Sequence, residues 1–292
     1  MTALSVWLKA SRLRTLPAAI APVAVGTALA GSEGIFKPLV LFAALVGAIF
    51  IQIGTNLSND YSDARRGADT EDRLGPVRVT AGGLVPPRSV LIATWLAFGV
   101  AALAGVYLII AAGWVLLVVG AASILAGVLY TGGPRPYGYD GLGEIFVFLF
   151  FGVVAVVGSY FIQTEQLTAA AFALSVPVGL LAAAILMVNN VRDIDTDRRA
   201  KKRTLAVRLG RSRARSLYVV TLFVSFAAVP LIWLTTDLGP WINLALVSLP
   251  LAPSLLVAVR ERTDGAALNA ALAETARLQL VFCLLLSIGL LI

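Results

Sequence analysis

The chain has 292 residues, of which 59% are hydrophobic and 13% charged, with a formal net charge of +7 and no histidine. A soluble domain carries about 25% charged residues, so this composition excludes one. The lack of histidine also removes the commonest general base, haem ligand and zinc ligand. The single cysteine, Cys283, has no partner for an intrachain disulfide and reads as a small buried core residue.

The apolar residues come in runs of roughly 20, the length a helix needs to cross a bilayer core of about 30 Å. In chain order, Trp7-Leu8-Lys9-Ala10-Ser11-Arg12-Leu13-Arg14 reads as a basic amphipathic lead-in to the first span, not as a cleavable signal peptide. The pattern then predicts nine spans, roughly 15–31, 37–58, 89–110, 113–130, 143–162, 168–190, 215–234, 240–259 and 272–291. Every charge falls at or near a span end. With the N-terminus cytoplasmic, all lysines and arginines except Lys37 lie on the inner side. The expected fold class is therefore all-α: a polytopic membrane protein, one domain over 1–292, with nine transmembrane helices around a central cavity open to the cytoplasmic side.

Two acidic clusters end the second and sixth predicted spans on that side. The first is Asn56-Leu-Ser-Asn59-Asp60-Tyr61-Ser-Asp63, where continued helix puts Asn56, Asp60 and Asp63 at i, i+4 and i+7 on one face. The second is Asn189-Asn190-Val-Arg192-Asp193-Ile-Asp195-Thr-Asp197, with Asn189, Asp193 and Asp197 at i, i+4 and i+8. Asp195 falls on another face. The near-repeat hints at an internal duplication and supports one pocket between the two spans. Aspartates at helix C-termini oppose the macrodipole, so four of them there call for a reason. Carboxylates this close repel, and a hard cation such as Mg²⁺ is the usual relief.

Basic residues adjoin both clusters: Arg65, Arg66, Arg73 and Arg78 after the first, Lys202, Arg203 and Arg208 after the second. A diphosphate cannot rest against bare carboxylates. A metal held by Asp oxygens on one side and phosphate oxygens on the other resolves this, with Arg and Lys on the remaining oxygens. At a membrane surface such a clamp implies a substrate with a lipid tail and a diphosphate leaving group. The third inner loop, Tyr130–Glu144, brings Tyr130, Tyr137 and Tyr139 to the mouth of the bundle. They read equally as an interfacial aromatic belt or as a lining over the reacting centre.

Asn56-x3-Asp60-x2-Asp63 and Asn189-x3-Asp193-x3-Asp197 resemble the two signature motifs of the UbiA superfamily of intramembrane aromatic prenyltransferases. Arg14-Thr-Leu-Pro17, Arg73-Leu-Gly-Pro-Val-Arg78, Tyr130-Thr-Gly-Gly-Pro134, Pro136-Tyr-Gly-Tyr-Asp-Gly-Leu-Gly-Glu144 and Arg203-Thr-Leu-Ala-Val-Arg-Leu-Gly210 are similar to its menaquinone-biosynthesis branch. The resemblance covers nearly the whole chain. It implies a nine-helix fold and Mg²⁺-dependent condensation of a polyprenyl diphosphate with 1,4-dihydroxy-2-naphthoate, releasing CO₂ and diphosphate and giving a demethylmenaquinol or demethylmenaquinone. Mn²⁺ is the other candidate metal.

On that basis Asp60, Asp63, Asp193 and Asp197 are expected to hold the metal, with Asn56 and Asn189 as oxygen ligands or positioners. Arg65, Arg73, Lys202 and Arg203 are expected on the diphosphate, and Tyr137 and Tyr139 on the acceptor side. One departure is that Lys201 stands where the family usually has glycine. Alternatives within the superfamily take 4-hydroxybenzoate, homogentisate, haem or a chlorophyll precursor as acceptor. A lipid-phosphate transporter also needs basic loops, but transporters place polar sites in broken helices near the midplane, where these spans carry no charge. Nucleic acid is disfavoured as a partner, because the basic loops are equally acidic where it matters.

Overall fold

A computed structural model describes residues 3–69 and 74–292. Among these the chain is all-helical, without strands. A surface helix, α1 (Ala3–Ser11), leads into α2 (Pro17–Ser32), α3 (Pro38–Arg65), α4 (Pro87–Ala112) and α5 (Val115–Leu129). Next come α6 (Gly143–Thr164) and α7 (Ala169–Arg192). The short α8 (Ile194–Arg199) and α9 (Leu205–Leu209) lie between α7 and α10 (Arg211–Thr235). The chain closes with α11 (Pro240–Glu261) and α12 (Gly265–Leu291).

Among the described residues seven helices, α3, α4, α6, α7, α10, α11 and α12, are long and apolar enough to cross a membrane. The other two predicted spans are also helical but shorter: α2 has 16 residues and α5 has 15. At 1.5 Å per residue these reach only about 23–24 Å, short of the hydrocarbon thickness. Proline at the first or second position starts α2, α3 and α4, where a missing N–H costs nothing. Large apolar side chains face outward, as with Leu103, Ile110, Phe223 and Leu234, each more than 70% exposed. This is a surface suited to lipid rather than water.

The core forms around α7, which packs against α6, α10 and α12 and is the most buried of the long helices. Small side chains make that possible. Gly152 on α6 and Gly179 on α7 meet backbone to backbone, and a Cβ on Gly152 would lie 2.7 Å from the Gly179 Cα. The same stretch of α6, Phe148–Val154, widens into π-helix, turning Phe150 and Phe151 toward the interior. On the other side of the molecule, α3 packs along most of α4. Between that pair, α5 and the α6–α7 core lies a chamber.

Candidate functional site

The chamber is a cavity of about 610 Å³ with two unlike ends. One end is lined by Ala48, Ile51, Gly105, Ile109, Leu117, Gly120 and Val154, without a charge among them. The other carries Arg12, Asn56, Asn59, Asp63, Arg78, Tyr130, Tyr139, Asn189, Asn190, Asp193, Asp197 and Lys202. The polar end is built from the last turns of α3 and α7, α8, and the loops that follow α3, α5 and α8. Both acidic clusters therefore open on one cavity.

Helix α3 continues past its apolar run to Arg65, so Asn56 and Asp63 share its inner face as their spacing requires. Asp63 is 1% exposed and accepts hydrogen bonds from Arg78 Nη2 at 2.9 Å and the Tyr139 hydroxyl at 2.5 Å, and it forms an ion pair with Lys202 Nζ at 3.3 Å. The Lys202 ammonium also sits 4.6 Å from the centre of the Tyr139 ring. Burial, and secondly the Asp63 charge, push the Tyr139 phenol well up from its ordinary value, so it stays protonated and donates. Arg78 Nε also lies 3.6 Å from the buried Asp69 carboxylate, so cations and carboxylates alternate here, and a metal-bound polyanion can meet both.

At the second cluster the helix breaks at Asp193, which leaves helical geometry with ψ near 6° before α8 resumes. The Asp197 amide still donates to the Asp193 carbonyl, so the four-residue register survives and Asn189, Asp193 and Asp197 all reach the cavity. Arg192 is almost fully buried. Its Nε and Nη2 fork onto the Asp193 carboxylate at 2.8 and 2.5 Å, Nη2 also donates to Asn189 Oδ1, and Nη1 reaches Asn269 Oδ1 on α12 at 2.6 Å. Thr204 Oγ1 stands 3.5 Å from the Asp197 carboxylate. Asp195 points elsewhere, to Arg211 at 2.7 Å.

Not every expected residue meets the cavity. Asp60 was placed among the metal ligands, but it is off the cavity wall. Its two carboxylate oxygens accept from the backbone amides of Val79 and Thr80 at 3.0 and 2.9 Å, fastening the loop after α3. The reason is tertiary: residues 79–80 fold back over this turn of α3. Arg65 and Arg203 are exposed, Arg65 bonded to the Tyr61 hydroxyl at 3.0 Å and Arg203 donating its amide to the Tyr139 carbonyl at 2.7 Å. Arg73 lies outside the described residues. Asn56 donates to the Ser11 carbonyl and Thr15, which keeps its Oδ1 for the cavity, whereas Asn189 Oδ1 is taken by Arg192. Tyr137 lines the cavity with its ring stacked on Phe146 at 3.9 Å and its hydroxyl tied to the Ala126 carbonyl.

The structure adds residues that pattern reading passed over. Asn59 accepts from Thr131 at 2.9 Å, Gln52 donates to Thr15 at 3.2 Å, and both line the cavity. Arg192 looked like one more inner-side charge, because its partner Asn269 is far away in sequence. Asn190 is held by Glu144 at 2.8 Å. Lys201 takes a left-handed φ of 58°, the conformation that favours glycine.

An apolar chamber inside a helical membrane bundle, closed at one end by carboxylates and buried cations, defines a site for a molecule with a charged head and a lipid tail. The chain belongs to the UbiA prenyltransferase family, whose model matches residues 19–286. It is 43% identical to the 1,4-dihydroxy-2-naphthoate octaprenyltransferase of Mycobacterium tuberculosis, over 97% of this chain and 96% of that one. It is 39% identical to the enzyme of the same name from Escherichia coli, over 97% and 94%. Among solved structures, a UbiA homolog from Archaeoglobus fulgidus bound to GPP and Mg²⁺ shares the fold with a TM-score of 0.69 at 15% identity, covering 97% of this chain and 99% of that one.

Proposed function

We propose that this protein transfers a polyprenyl group from its diphosphate to 1,4-dihydroxy-2-naphthoate, giving demethylmenaquinol or demethylmenaquinone. The observation that carries the chemistry is the cavity itself, in which Asp63, Asp193, Asp197, Arg78 and Lys202 face an uncharged chamber. The acceptor follows from the names and near-complete coverage of the two relatives. In the reaction the prenyl carbon–oxygen bond breaks and diphosphate leaves with the electron pair. The ring carbon bearing the carboxylate forms the new bond, and loss of CO₂ returns electrons to the ring, so no base needs to remove a proton there. Arg78 and Lys202 hold the diphosphate by charge, the chamber excludes water, and Tyr137 and Tyr139 flank the cation-forming end.

The donors fit Mg²⁺, with Mn²⁺ as second choice. All are hard oxygens: the carboxylates of Asp63, Asp193 and Asp197, and Asn56 Oδ1. Among the described residues no three carboxylates converge on one point. That suits Mg²⁺, which usually takes one or two carboxylates and completes its shell with phosphate and water. When bound it would neutralise the leaving diphosphate. Asp60 supports this site through its loop. The N-terminus and the polar end face the cytoplasm, on the inner side of the cell membrane.

The test is turnover by detergent-purified protein given a polyprenyl diphosphate and the dihydroxynaphthoate, with and without Mg²⁺. Metal-dependent release of both CO₂ and diphosphate, with a prenylated naphthoquinone recovered, is expected. Diphosphate release without CO₂ would move the acceptor elsewhere in the family. Release of neither from folded protein would overturn the proposal.

A further inference from the structure

Asn189 and Asn190 are adjacent on α7 and both line the cavity, yet buried charges turn their amides in opposite senses. Asn189 Oδ1 accepts from Arg192 Nη2 at 2.8 Å, which leaves its NH₂ for the cavity. Asn190 Nδ2 donates to Glu144 Oε1 at 2.8 Å. An ionised Glu144 only accepts, and with it the amide is assigned nitrogen toward Glu144 and Oδ1 away from it. Asn190 is 5% exposed, and among the described residues no donor reaches its Oδ1. Glu144, also buried, lies off the cavity wall, and its Oε2 has no hydrogen-bond partner. A half-satisfied buried carboxylate is costly. Its side-chain partner is Asn190, which it orients. Close by, Tyr137 and Phe146 form a stacked aromatic wall to the same cavity.

We propose that Asn190 Oδ1 accepts a hydrogen bond from a ring hydroxyl of the aromatic substrate, while the Asn189 NH₂ donates to an oxygen beside it. Asn190 is then a specificity-determining residue, and Glu144 and Arg192 are positioning residues that set the two amides. A hydroxyl ortho to a carboxylate carries this donor–acceptor pair on one edge. The assignment rests on the naphthoate reading above and names the residues that recognise that substrate.

Three competitive inhibitors test it: 2-naphthoate, 1-hydroxy-2-naphthoate and 4-hydroxy-2-naphthoate, each titrated against the dihydroxynaphthoate. In the wild type the ortho hydroxyl is expected to tighten Ki about tenfold over 2-naphthoate, the scale of one good hydrogen bond. In Asn190→Ala that advantage vanishes, with KM for the prenyl diphosphate unchanged. In Glu144→Gln it shrinks, because a Gln amide can donate as well as accept and no longer fixes Asn190. A merely structural role would weaken all three inhibitors equally and keep their ratio, which would overturn the inference. Should Asn190→Ala fail to fold, Glu144→Gln carries the same comparison. A wild type that prenylates the naphthoate but ignores the ortho hydroxyl overturns the inference alone. A wild type that does not prenylate it overturns the underlying reading and the inference together.

Discussion

Asp63 and Arg78 form an ion pair at 2.9 Å in which both side chains are more than nine-tenths buried, with Lys202 as a second cation at 3.3 Å. Burying ions costs several kcal/mol each unless they are closely paired, so a ligand-free site built this way holds its charges ready rather than adding net stability. An incoming diphosphate lets Arg78 and Lys202 exchange carboxylate for phosphate oxygens without a further desolvation step.

Arg78→Met is therefore expected to raise KM for the prenyl diphosphate by roughly tenfold or more, the scale of one lost charge-assisted contact. KM for the aromatic acceptor should change little; Lys202 keeps Asp63 paired, while Asp69 loses its contact with Arg78 Nε at 3.6 Å, so a thermal melt accompanies the kinetics. Steady-state kinetics varying each substrate in turn decides this. Equal effects on both substrates would show that Arg78 only shapes the cavity.

Asp60→Ala separates two aspartates that sequence spacing treats alike. It strands the buried amides of Val79 and Thr80, at about 1–3 kcal/mol for each unsatisfied group. Thermal unfolding should shift down, and limited proteolysis should cut within 74–86 where the wild type resists. If Asp60→Ala unfolds like the wild type and merely loses turnover, Asp60 acts at the cavity after all.

The contrast between Asp60 and Asp63 also marks where sequence reading ends. The helix follows from the apolar run and, once it continues, the shared face of Asn56 and Asp63 from the period; its extension to Arg65 is what the structure adds. The bundle follows as well, since runs of roughly 20 apolar residues leave little else for the chain to form. What lies over each residue does not follow. Residues 79–80 fold onto Asp60, Asn269 comes from the last helix to Arg192, and Glu144 reaches Asn190 across α6 and α7. These are contacts between positions far apart in the chain, with no periodic signature. Arg192 is the plainest case: a charge in an inner-side cluster normally meets water, and this one is almost fully buried.

Lys201 carries a legible signal of another kind. Its φ of 58° is left-handed, and Lys201 occupies the position where the sequence departs from the family's glycine. A side chain there costs about 1–2 kcal/mol, partly offset by the 0.5–1 kcal/mol of extra entropy a glycine loses on folding. Lys201→Gly should thus stabilise the protein by up to about 1 kcal/mol. Because Lys201 is exposed and the neighbouring Lys202 is the one in the cavity, turnover should be unaffected. A lower melting temperature would mean that the Lys201 side chain contributes more than its backbone costs.

Glycines at the uncharged end make the reverse trade. Gly105 on α4 and Gly120 on α5 both line the cavity, and a Cβ added to either meets nothing within 4 Å. Neither is needed for a turn or a close helix crossing, and glycine inside a helix costs about 0.5–1 kcal/mol relative to alanine. What they preserve is width. Gly120→Leu and Gly105→Leu should keep or raise the melting temperature while placing a branched side chain in the chamber. If the prenyl tail occupies that end, long polyprenyl diphosphates should lose turnover by about tenfold or more, the scale of a few displaced methylenes, and a two-isoprene substrate should lose little. The ratio of kcat/KM for long and short donors reads this directly. An unchanged ratio in both variants would place the tail outside the chamber, along the lipid-facing surface of the bundle.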